Sequence, residues 1–235
     1  METGTRKKNQ LIVFGSAEIA RLARFYFEND SSYRVSAFVV DDAYVDADSL
    51  DGLPLLGFSQ ALERFPPQEY EMHVAISYRG FNRLRSEKYY QAKEVGYRLA
   101  SYICTKSALW PDLDVGDNCF ILENQTIQPT VHIGNNVVIW SGNHIGHGSI
   151  IGDHTYIASH VVICGHCNIG KRCFFGVNST IRDFCSIGDD CFISMDASVT
   201  ANLPPESVAI GHGAEILKPD DRRGRALVKR FFGQV

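Results

Sequence analysis

The sequence lacks both a long apolar segment and an excess of positive charge. No apolar run approaches the ~18 residues that a membrane-spanning helix needs, and residues 1–10 have no signal-peptide core. The formal net charge is −4, which gives a nucleic-acid partner no electrostatic support. At 235 residues the chain is long enough for two modest domains. We therefore expect a cytoplasmic protein without a membrane span.

The sequence also lacks the cysteine pattern of a disulfide scaffold. Its seven cysteines include five that stand two positions before a regularly spaced apolar residue, a column that is otherwise occupied by small residues. These five are Cys119, Cys167, Cys173, Cys185 and Cys191. We interpret them as buried thiols that fill a narrow interior, and not as disulfides or metal ligands. This interpretation agrees with a reducing cytoplasm.

One bulky apolar residue returns at every sixth position from Ile103 to Val199. The series has 17 members, and 13 of them are Ile. A period of six fits neither an amphipathic helix nor a simple alternating strand. It is typical of a β-helix, in which short parallel strands stack into a prism. The sequence therefore predicts that this coil forms most of the second half of the chain.

A glycine follows the apolar residue at every third hexapeptide. The five positions, spaced by 18 residues, are Gly116, Gly134, Gly152, Gly170 and Gly188. Three hexapeptides per return predict a three-sided coil with these glycines at one recurring corner. We attribute the glycines to the backbone angles that a tight turn demands.

The first hundred residues follow a different pattern, in which strands and helices alternate. Buried-strand patterns are predicted over 11–14, 33–40, 73–76 and 98–103, and helices over 18–28, 62–65 and 82–95. Such alternation predicts a small parallel sheet with helices on its faces. At the other end of the chain, residues 220–232 are predicted to form a basic amphipathic helix that caps the open end of the prism.

A ligand crevice is expected at the carboxyl ends of the predicted strands. Gly15, Ser16 and Ala17 follow the first strand, and their N–H groups would face a phosphate at the start of a helix. Asp41 and Asp42 follow the second strand and could accept hydrogen bonds from a ribose or a base. Residues 77–82, from Ser77 to Asn82, follow the third strand. Because the full G-x-G-x-x-G spacing is missing, Gly15 can equally be a tight turn alone.

Four segments, taken with the order of the two domains, resemble one enzyme family. They are Phe14-Gly-Ser-Ala17, Leu53-Pro-Leu-Leu-Gly57, Asn82-x-x-Arg85 and Ile145-Gly-His-Gly-Ser-Ile-Ile-Gly-Asp153. The chain resembles the bacterial nucleotide-sugar acyltransferases of the sialic-acid O-acetyltransferase and bacillosamine N-acetyltransferase type. The resemblance implies a Rossmann-like nucleotide-sugar-binding domain over 1–102, a left-handed parallel β-helix over 103–203 and a C-terminal tail with a helix over 204–235.

The resemblance also implies the ligands and the assembly. Acetyl-CoA would be the co-substrate, and a homotrimer would form its active sites between subunits. Arg85 would join Ser77 and Asn82 in binding the nucleotide sugar. The acyl-CoA would run along Tyr156, Gly165, Val177 and Met195 and reach Gly211 in the tail. Such an enzyme would act in lipopolysaccharide or other glycan biosynthesis.

His147 is the predicted general base, because it aligns with the catalytic histidine of the family that the chain resembles. It occupies a turn position where other corners have the turn-forming residues Asp117, Asn135, Asp153 and Asp189. Adding 18 places Gly165 beside it on the next turn of the coil, which leaves room for a thioester. Imidazole titrates near pH 6.5 and can accept a proton at neutral pH. An ordinary surface histidine is the alternative interpretation, and His144 and His166 are reserve candidates for the base.

The same coil histidines raise the question of a metal site. Six of the eight histidines lie on the coil, but His154, His160 and His166 are six residues apart and fall on three successive sides of the prism. Zinc needs three or four convergent ligands. We therefore predict no metal site within one chain. A site whose ligands come from two subunits is left open.

The sequence thus predicts transfer of an acyl group, most simply acetyl, from CoA to the amine of a nucleotide-linked amino sugar. The amine would attack the thioester directly while His147 takes its proton. O-acetylation of a sugar, as in the sialic-acid enzymes, is the first alternative. A non-catalytic trimeric binding protein is the second, prompted by Gly148 where the family often has a Glu that orients the base.

Overall fold

The computed structural model describes residues 9–213, 216–218 and 220–232. Five strands of the N-terminal part form one sheet in the order β3-β4-β2-β1-β5. The strands are β1 (Asn9–Phe14), β2 (Tyr33–Val40), β3 (Ser49–Leu50), β4 (Leu53–Gly57) and β5 (Glu71–Val74). The helices are α1 (Glu18–Asp30), α2 (Phe58–Arg64) and α3 (Arg83–Glu94), and Asp42–Tyr44 form a 3₁₀ turn.

The strands of this sheet are parallel except for β3, which pairs with β4 in the antiparallel sense. The apolar run from Leu11 to Phe14 is buried because helices cover both faces of the sheet, as the sequence predicted. The β3–β4 hairpin was not predicted, since it is short and contains Pro54, which normally opposes a strand. The predicted strand over 98–103 is interrupted: Leu99 bridges Met72 of the sheet, whereas Tyr102 already belongs to the coil.

The second part of the chain is a parallel β-helix of two-residue strands. They are β6 (Tyr102–Ile103), β7 (Asp114–Val115), β8 (Phe120–Ile121), β9 (Thr126–Ile127), β10 (His132–Ile133), β11 (Val138–Ile139), β12 (His144–Ile145), β13 (Ile150–Ile151), β14 (Tyr156–Ile157), β15 (Val162–Ile163), β16 (Asn168–Ile169), β17 (Phe174–Phe175), β18 (Thr180–Ile181), β19 (Ser186–Ile187), β20 (Phe192–Ile193), β21 (Ser198–Val199) and β22 (Val208–Ala209). Successive strands of a side pair at a spacing of 18 residues, as Ile133 pairs with Ile151, except that β20 pairs with β22 at a spacing of 16.

These pairings build three sheets, one on each side of the prism. The first contains β7, β10, β13, β16 and β19, and the second contains β9, β12, β15, β18 and β21. The third, which we call the docked sheet, contains β6, β8, β11, β14, β17, β20 and β22 and lies against the N-terminal domain. The three-sided coil with an 18-residue repeat, predicted from the hexapeptides, is confirmed.

The interior of the prism consists of the two columns that the sequence indicated. The hexapeptide residues from Ile121 to Val199 are at most 5% exposed and form one continuous apolar cluster. The small column beside them is buried as well, including the thiols of Cys119, Cys167, Cys173, Cys185 and Cys191. All seven cysteines are free. The interpretation of the column as interior fill is therefore confirmed.

The reason given for the corner glycines is wrong. None of the five has a positive φ; the left-handed residues come two positions later, for example Asn118 and Asn136. A Cβ on Gly152 would instead lie 2.5 Å from the carbonyl carbon and oxygen of Gly170. Glycine is required because successive turns of the coil approach each other too closely for a side chain, and not because of its conformational freedom.

The two domains are joined by a buried polar contact beneath α3. The guanidinium of Arg85 is fully buried and donates to the carbonyl oxygen of His154 (2.6 Å) and to the side-chain oxygen of Asn82 (2.8 Å). Asn82 in turn donates to the carbonyl oxygens of Arg172 and Cys173 on the coil (both 3.1 Å). Helix α3 is therefore anchored to the edge of the prism by side chains that bond to backbone carbonyl groups of the coil.

The tail contains the predicted helix, α4 (Arg222–Phe232). Leu227 and Val228 are about half exposed. The side chains of Phe231 and Phe232 lie outside the described residues, so the capping of the prism by this helix stays a prediction. Among the described residues, no helix has both the length and the apolar character that crossing a membrane requires.

Candidate active site

His147 lies in an exposed two-residue turn at one corner of the prism, between β12 and β13. At other turns between strands, the N–H of the equivalent residue donates to an Asn or Asp side chain 18 residues later. Asn135, for example, donates to Asp153 (2.9 Å), and Gly165 donates to Asp183 (3.0 Å). The residue 18 positions after His147 is Gly165, which has no side chain and offers no acceptor. The N–H of His147 is therefore left without the usual partner.

Gln128, on the preceding turn of the coil, supplies the missing acceptor. Its Oε1 accepts the backbone N–H of His147 (2.9 Å) and lies 3.0 Å from the Nδ1 of the same residue. Since a backbone N–H can only donate, the atom of Gln128 that faces it must be the oxygen. The same oxygen can bond to Nδ1 only if Nδ1 has the proton. The imidazole is thus held with Nδ1 as a donor and Nε2 as a free acceptor.

Small and aromatic groups enclose the rest of the imidazole. A Cβ on Gly165 would lie 3.0 Å from Cε1 of His147, so the imidazole lies directly against the glycine, where a side chain would crowd it. The ring of His166 lies edge-on to His147, with centroids 4.8 Å apart, and stacks on Phe184 at 5.1 Å. Two of the predicted residues, His147 and Gly165, are therefore neighbours, and the reserve candidate His166 is beside them.

The remaining coil histidines lie elsewhere. His144 is in β12 and pairs with Thr126 and Val162 across its sheet. His154 is buried: it is 1% exposed, and Asn136 bonds to its Nδ1 (2.8 Å). Burial, assisted by the charge of Arg85, lowers the pKa of His154 to about 4.

His154, His160 and His166 occupy three different corners, as the six-residue spacing predicted. Across the described residues, no three His, Cys, Asp or Glu side chains are grouped as metal ligands.

The crevice at the carboxyl ends of β1, β2 and β5 contains part of the predicted nucleotide-sugar site. Ser16 and Ala17 are exposed immediately before α1. Gly15 has a φ of +136°, and a Cβ there would lie 2.5 Å from the carbonyl oxygen of Ala75. Both the conformation and the close approach therefore require glycine at this turn. Ser77 follows β5 at the same edge of the sheet and is half-buried.

The two carboxylates expected in this crevice have protein partners. Asp42 accepts hydrogen bonds from the backbone N–H (3.0 Å) and the hydroxyl (2.6 Å) of Ser59 at the start of α2, which lowers its pKa. Asp41 pairs with the ammonium of Lys88 at 2.7 Å. Both carboxylates thus hold helices in place at the crevice.

Asn82 and Arg85 do not lie at the surface of the crevice. Both are fully buried and bond to backbone groups at the domain contact, so a ligand cannot reach them in this arrangement. The expectation that they contact the nucleotide sugar is corrected: their part in the structure is to anchor α3. Burial lowers the pKa of Arg85 to about 10, which leaves the guanidinium charged at neutral pH.

The predicted acyl-CoA residues separate into two groups. Tyr156, Val177 and Met195 line one groove of about 470 Å³ along the docked sheet. Gly211 packs against this groove, since a Cβ there would lie 2.1 Å from the carbonyl oxygen of Met195. Gly165 belongs to a different corner, beside His147. Within one chain, the structure does not bring all five residues to one place.

The groove contains aromatic residues that sequence reasoning missed. The ring of Tyr78, from the loop after β5, lies 5.1 Å from Tyr156 and 5.0 Å from Phe174. Trp140 donates its indole N–H to the hydroxyl of Tyr156. An 18-residue alignment of the hexapeptides would have placed Phe174 beside Tyr156. Tyr78 gave no such signal, because it reaches the groove from the other domain.

Known proteins share this architecture. A family model described as bacterial transferase hexapeptide (six repeats) matches residues 130–165, and one described as hexapeptide repeat of succinyl-transferase matches residues 167–201. No curated protein matches the chain.

Solved structures match nearly the whole chain. The acetyltransferase domain of PglB from Neisseria gonorrhoeae, in complex with acetyl coenzyme A, is 18% identical with a TM-score of 0.76, covering 87% of this chain and 100% of its own. PerB from Caulobacter crescentus, in complex with CoA and GDP-perosamine, is 22% identical with a TM-score of 0.75, covering 87% and 98%. WeeI from Acinetobacter baumannii is 18% identical with a TM-score of 0.54, covering 89% and 100%.

These matches define the fold as a Rossmann-like domain followed by a left-handed parallel β-helix. The fold class predicted from the sequence is confirmed, and so, at the level of the fold, is the resemblance to bacterial acyltransferases of this architecture.

Proposed function

We propose that the protein transfers an acyl group, most simply acetyl, from CoA to the amine of a nucleotide-linked amino sugar, with His147 as the general base. The observation that supports this most directly is the imidazole of His147. It lies exposed at a corner, with Nδ1 bonded to Gln128 and Nε2 free to accept a proton. Gly165 gives the ring the room to lie in this position, because a Cβ at residue 165 would crowd Cε1.

The proposed reaction needs one base and no covalent intermediate. The amine nitrogen attacks the thioester carbonyl and forms a C–N bond, while Nε2 of His147 takes a proton from the nitrogen. The tetrahedral intermediate then breaks its C–S bond. The departing CoA thiolate receives the proton from the imidazolium, which restores the neutral base. The oxyanion would be stabilised by N–H donors of the coil or of the neighbouring subunit.

Two observations support acyl-CoA as the donor. The matched PglB domain was solved with acetyl coenzyme A, and PerB was solved with CoA. The groove lined by Tyr156, Val177 and Met195 offers an apolar surface for the pantetheine chain. Because this groove and Gly165 lie at different corners, one CoA that contacts both would lie between two subunits. We therefore propose a homotrimer with its active sites at the subunit interfaces.

The nucleotide sugar is proposed to bind in the crevice of the N-terminal domain. Exposed Ser16 and Ala17 lie before α1, where backbone N–H groups and the helix dipole favour a phosphate. Ser77 lies at the same edge. PerB was solved with GDP-perosamine, a ligand of this chemical class. Since Asp41 and Asp42 are engaged by Lys88 and by α2, we assign them to shaping the crevice. Free thiols and this substrate agree with a cytoplasmic location.

The experiment is a thermal-shift screen of nucleotide sugars crossed with acyl-CoAs, followed by steady-state assays of His147→Ala. The expected result is stabilisation by one nucleotide amino sugar together with one acyl-CoA, and a loss of turnover in His147→Ala with both ligands still bound. His132→Ala is the matched control, since His132 is an exposed histidine within β10, one turn of the coil before β13. Near-normal turnover in His147→Ala would reject the base assignment. Acylation of a hydroxyl would establish the O-acetyl alternative, and absence of CoA binding by calorimetry would favour the binding protein.

A further inference from the structure

We infer that Gln128 is the positioning residue that orients His147 and sets its tautomer. This inference rests on the proposed function, because it assigns Gln128 the role of orienting the proposed catalytic base. It concerns a residue 19 positions upstream of the histidine, on a different turn of the coil, and not a neighbour in sequence.

The geometry at Gln128 is a two-point contact. One oxygen accepts both the backbone N–H (2.9 Å) and the Nδ1–H (3.0 Å) of His147. Fixing the main chain and the ring from the same atom restricts rotation of the side chain about its first two torsions. The next residue, Gly148, has its own N–H held by the hydroxyl of Thr130 (3.1 Å). Both N–H groups of the turn are thus supported from the preceding turn of the coil.

The contact exists because the coil repeat is interrupted at this point. Elsewhere the turn N–H is taken by an Asn or Asp on the following turn, as Lys171 donates to Asp189 (2.8 Å). Gly165 removes that acceptor, and the imidazole of His147 packs directly against it. An acceptor from the opposite direction is then needed to hold the turn. Gln128, on the preceding turn of the coil, has the length to reach it.

The chemical consequence concerns which nitrogen is basic. With Nδ1 protonated and bonded to Gln128, the lone pair of the ring is on Nε2. A ring without this bond would exchange between both tautomers and several orientations, and only a fraction of molecules would be competent. Because an amide is neutral, Gln128 fixes the tautomer without adding a negative charge that would stabilise the imidazolium.

The test compares Gln128→Ala and Gln128→Glu with the same changes at Gln68, an exposed glutamine of the N-terminal domain. We expect Gln128→Ala to lower kcat on the order of 10- to 100-fold with little change in KM. Gln128→Glu keeps an acceptor and should regain much of this rate. Its carboxylate should move the acidic limb of the pH profile up by about one unit, because the imidazolium then loses its proton at higher pH. The variants at Gln68 should leave both kcat and the profile unchanged.

A second measurement does not depend on turnover. In histidine-labelled protein, the nitrogen NMR signals of His147, assigned by their loss in His147→Ala, report which nitrogen has the proton. We expect the Nδ1–H form in the wild type and in Gln128→Glu, and a mixture in Gln128→Ala. Wild-type kcat together with an unchanged tautomer in Gln128→Ala would overturn the inference. Full activity in His147→Ala would instead reject the proposed function, while the NMR signals would still decide whether Gln128 orients the ring.

Discussion

Gly165 lies directly against the imidazole of His147, so that a Cβ at residue 165 would be 3.0 Å from Cε1 and 3.3 Å from both ring nitrogens. The two residues are 18 apart in sequence and occupy successive turns of one corner. The missing side chain has two effects: it lets the imidazole lie against the next turn of the coil, and it leaves the N–H of His147 to bond to Gln128. One glycine thus links the regularity of the coil to its candidate chemistry.

Gly165→Ala is the direct test of that close contact. Its φ is not positive, so alanine is compatible with the backbone, and the new methyl group must displace the ring of His147. We expect kcat/KM to fall on the order of 100-fold, because a displacement of about 1 Å is enough to misalign a base. Steady-state kinetics and a melting curve measure the two effects separately.

Gly224→Ala, in α4, is the matched control, since its Cβ would have only an ordinary contact of 3.4 Å. A Gly165→Ala variant as active as this control would show that turnover does not depend on the close packing of His147 against Gly165.

The anchor between the domains is tested by Arg85→Met. The substitution fills a similar volume but leaves the carbonyl oxygens of His154 and Asn136 without their buried donor. We expect the free energy of unfolding to fall by about 3 kcal/mol, the upper range for hydrogen bonds to a charged group. Urea denaturation gives the value.

The exposed Arg34, on β2, provides the comparison through Arg34→Met. Equal and small losses in both variants would mean that Arg85 does not hold the domains together.

Stability should depend on pH through His73. This ring is 1% exposed, and burial lowers its pKa to about 4 from 6.5. Between those values the unfolded chain binds a proton that the folded chain does not, so the free energy of unfolding falls as pH falls from 6.5 towards 4. His73→Gln should reduce that slope by up to about 1.4 kcal/mol per pH unit.

Urea titrations at pH 7, 6, 5 and 4 measure the slope, with the exposed His212→Gln as a comparison. A His73→Gln variant with the wild-type slope would disprove the assignment.

Close approach between turns of the coil predicts the effect of Gly152→Ala. The Cβ would lie 2.5 Å from the carbonyl group of Gly170, and backbone atoms cannot move aside as a side chain can. We expect a loss of about 2 kcal/mol, as for other overpacked sites. Because φ at Gly152 is ordinary, the D-alanine that rescues left-handed glycines should not rescue this one. Equal stability of Gly152→Ala and the wild type would restore the conformational explanation.

Much of the coil could be predicted from the sequence because its contacts are periodic. A residue at one hexapeptide position meets the residue 18 further on, so a sequence difference is also a spatial neighbour, as with His147 and Gly165. The same arithmetic identified the buried cysteine column. The spacing led to a wrong explanation of the corner glycines. It does not distinguish a glycine that needs a positive φ from one that lies too close to the next turn of the coil for a side chain.

Contacts that break the repeat could not be read in this way. Gln128 is 19 residues from His147, one position out of the period, and its long side chain closes the difference. Tyr78 and Arg85 meet the coil from another domain, and no sequence period relates the two. A motif that resembles a ligand site, such as Asn82-x-x-Arg85, is equally consistent with an internal anchor until burial is known.

The sequence by itself determined the three-sided coil, its apolar and small interior columns, the sheet domain before it and the pairing of His147 with Gly165. Each of these depends on local periodicity, which repeats the same short-range packing many times. Only the tertiary structure decided which nitrogen of His147 is free, and that Asn82 and Arg85 join the domains. Those outcomes depend on single side chains that reach across turns or domains. Because such contacts do not repeat along the chain, the sequence period does not predict them.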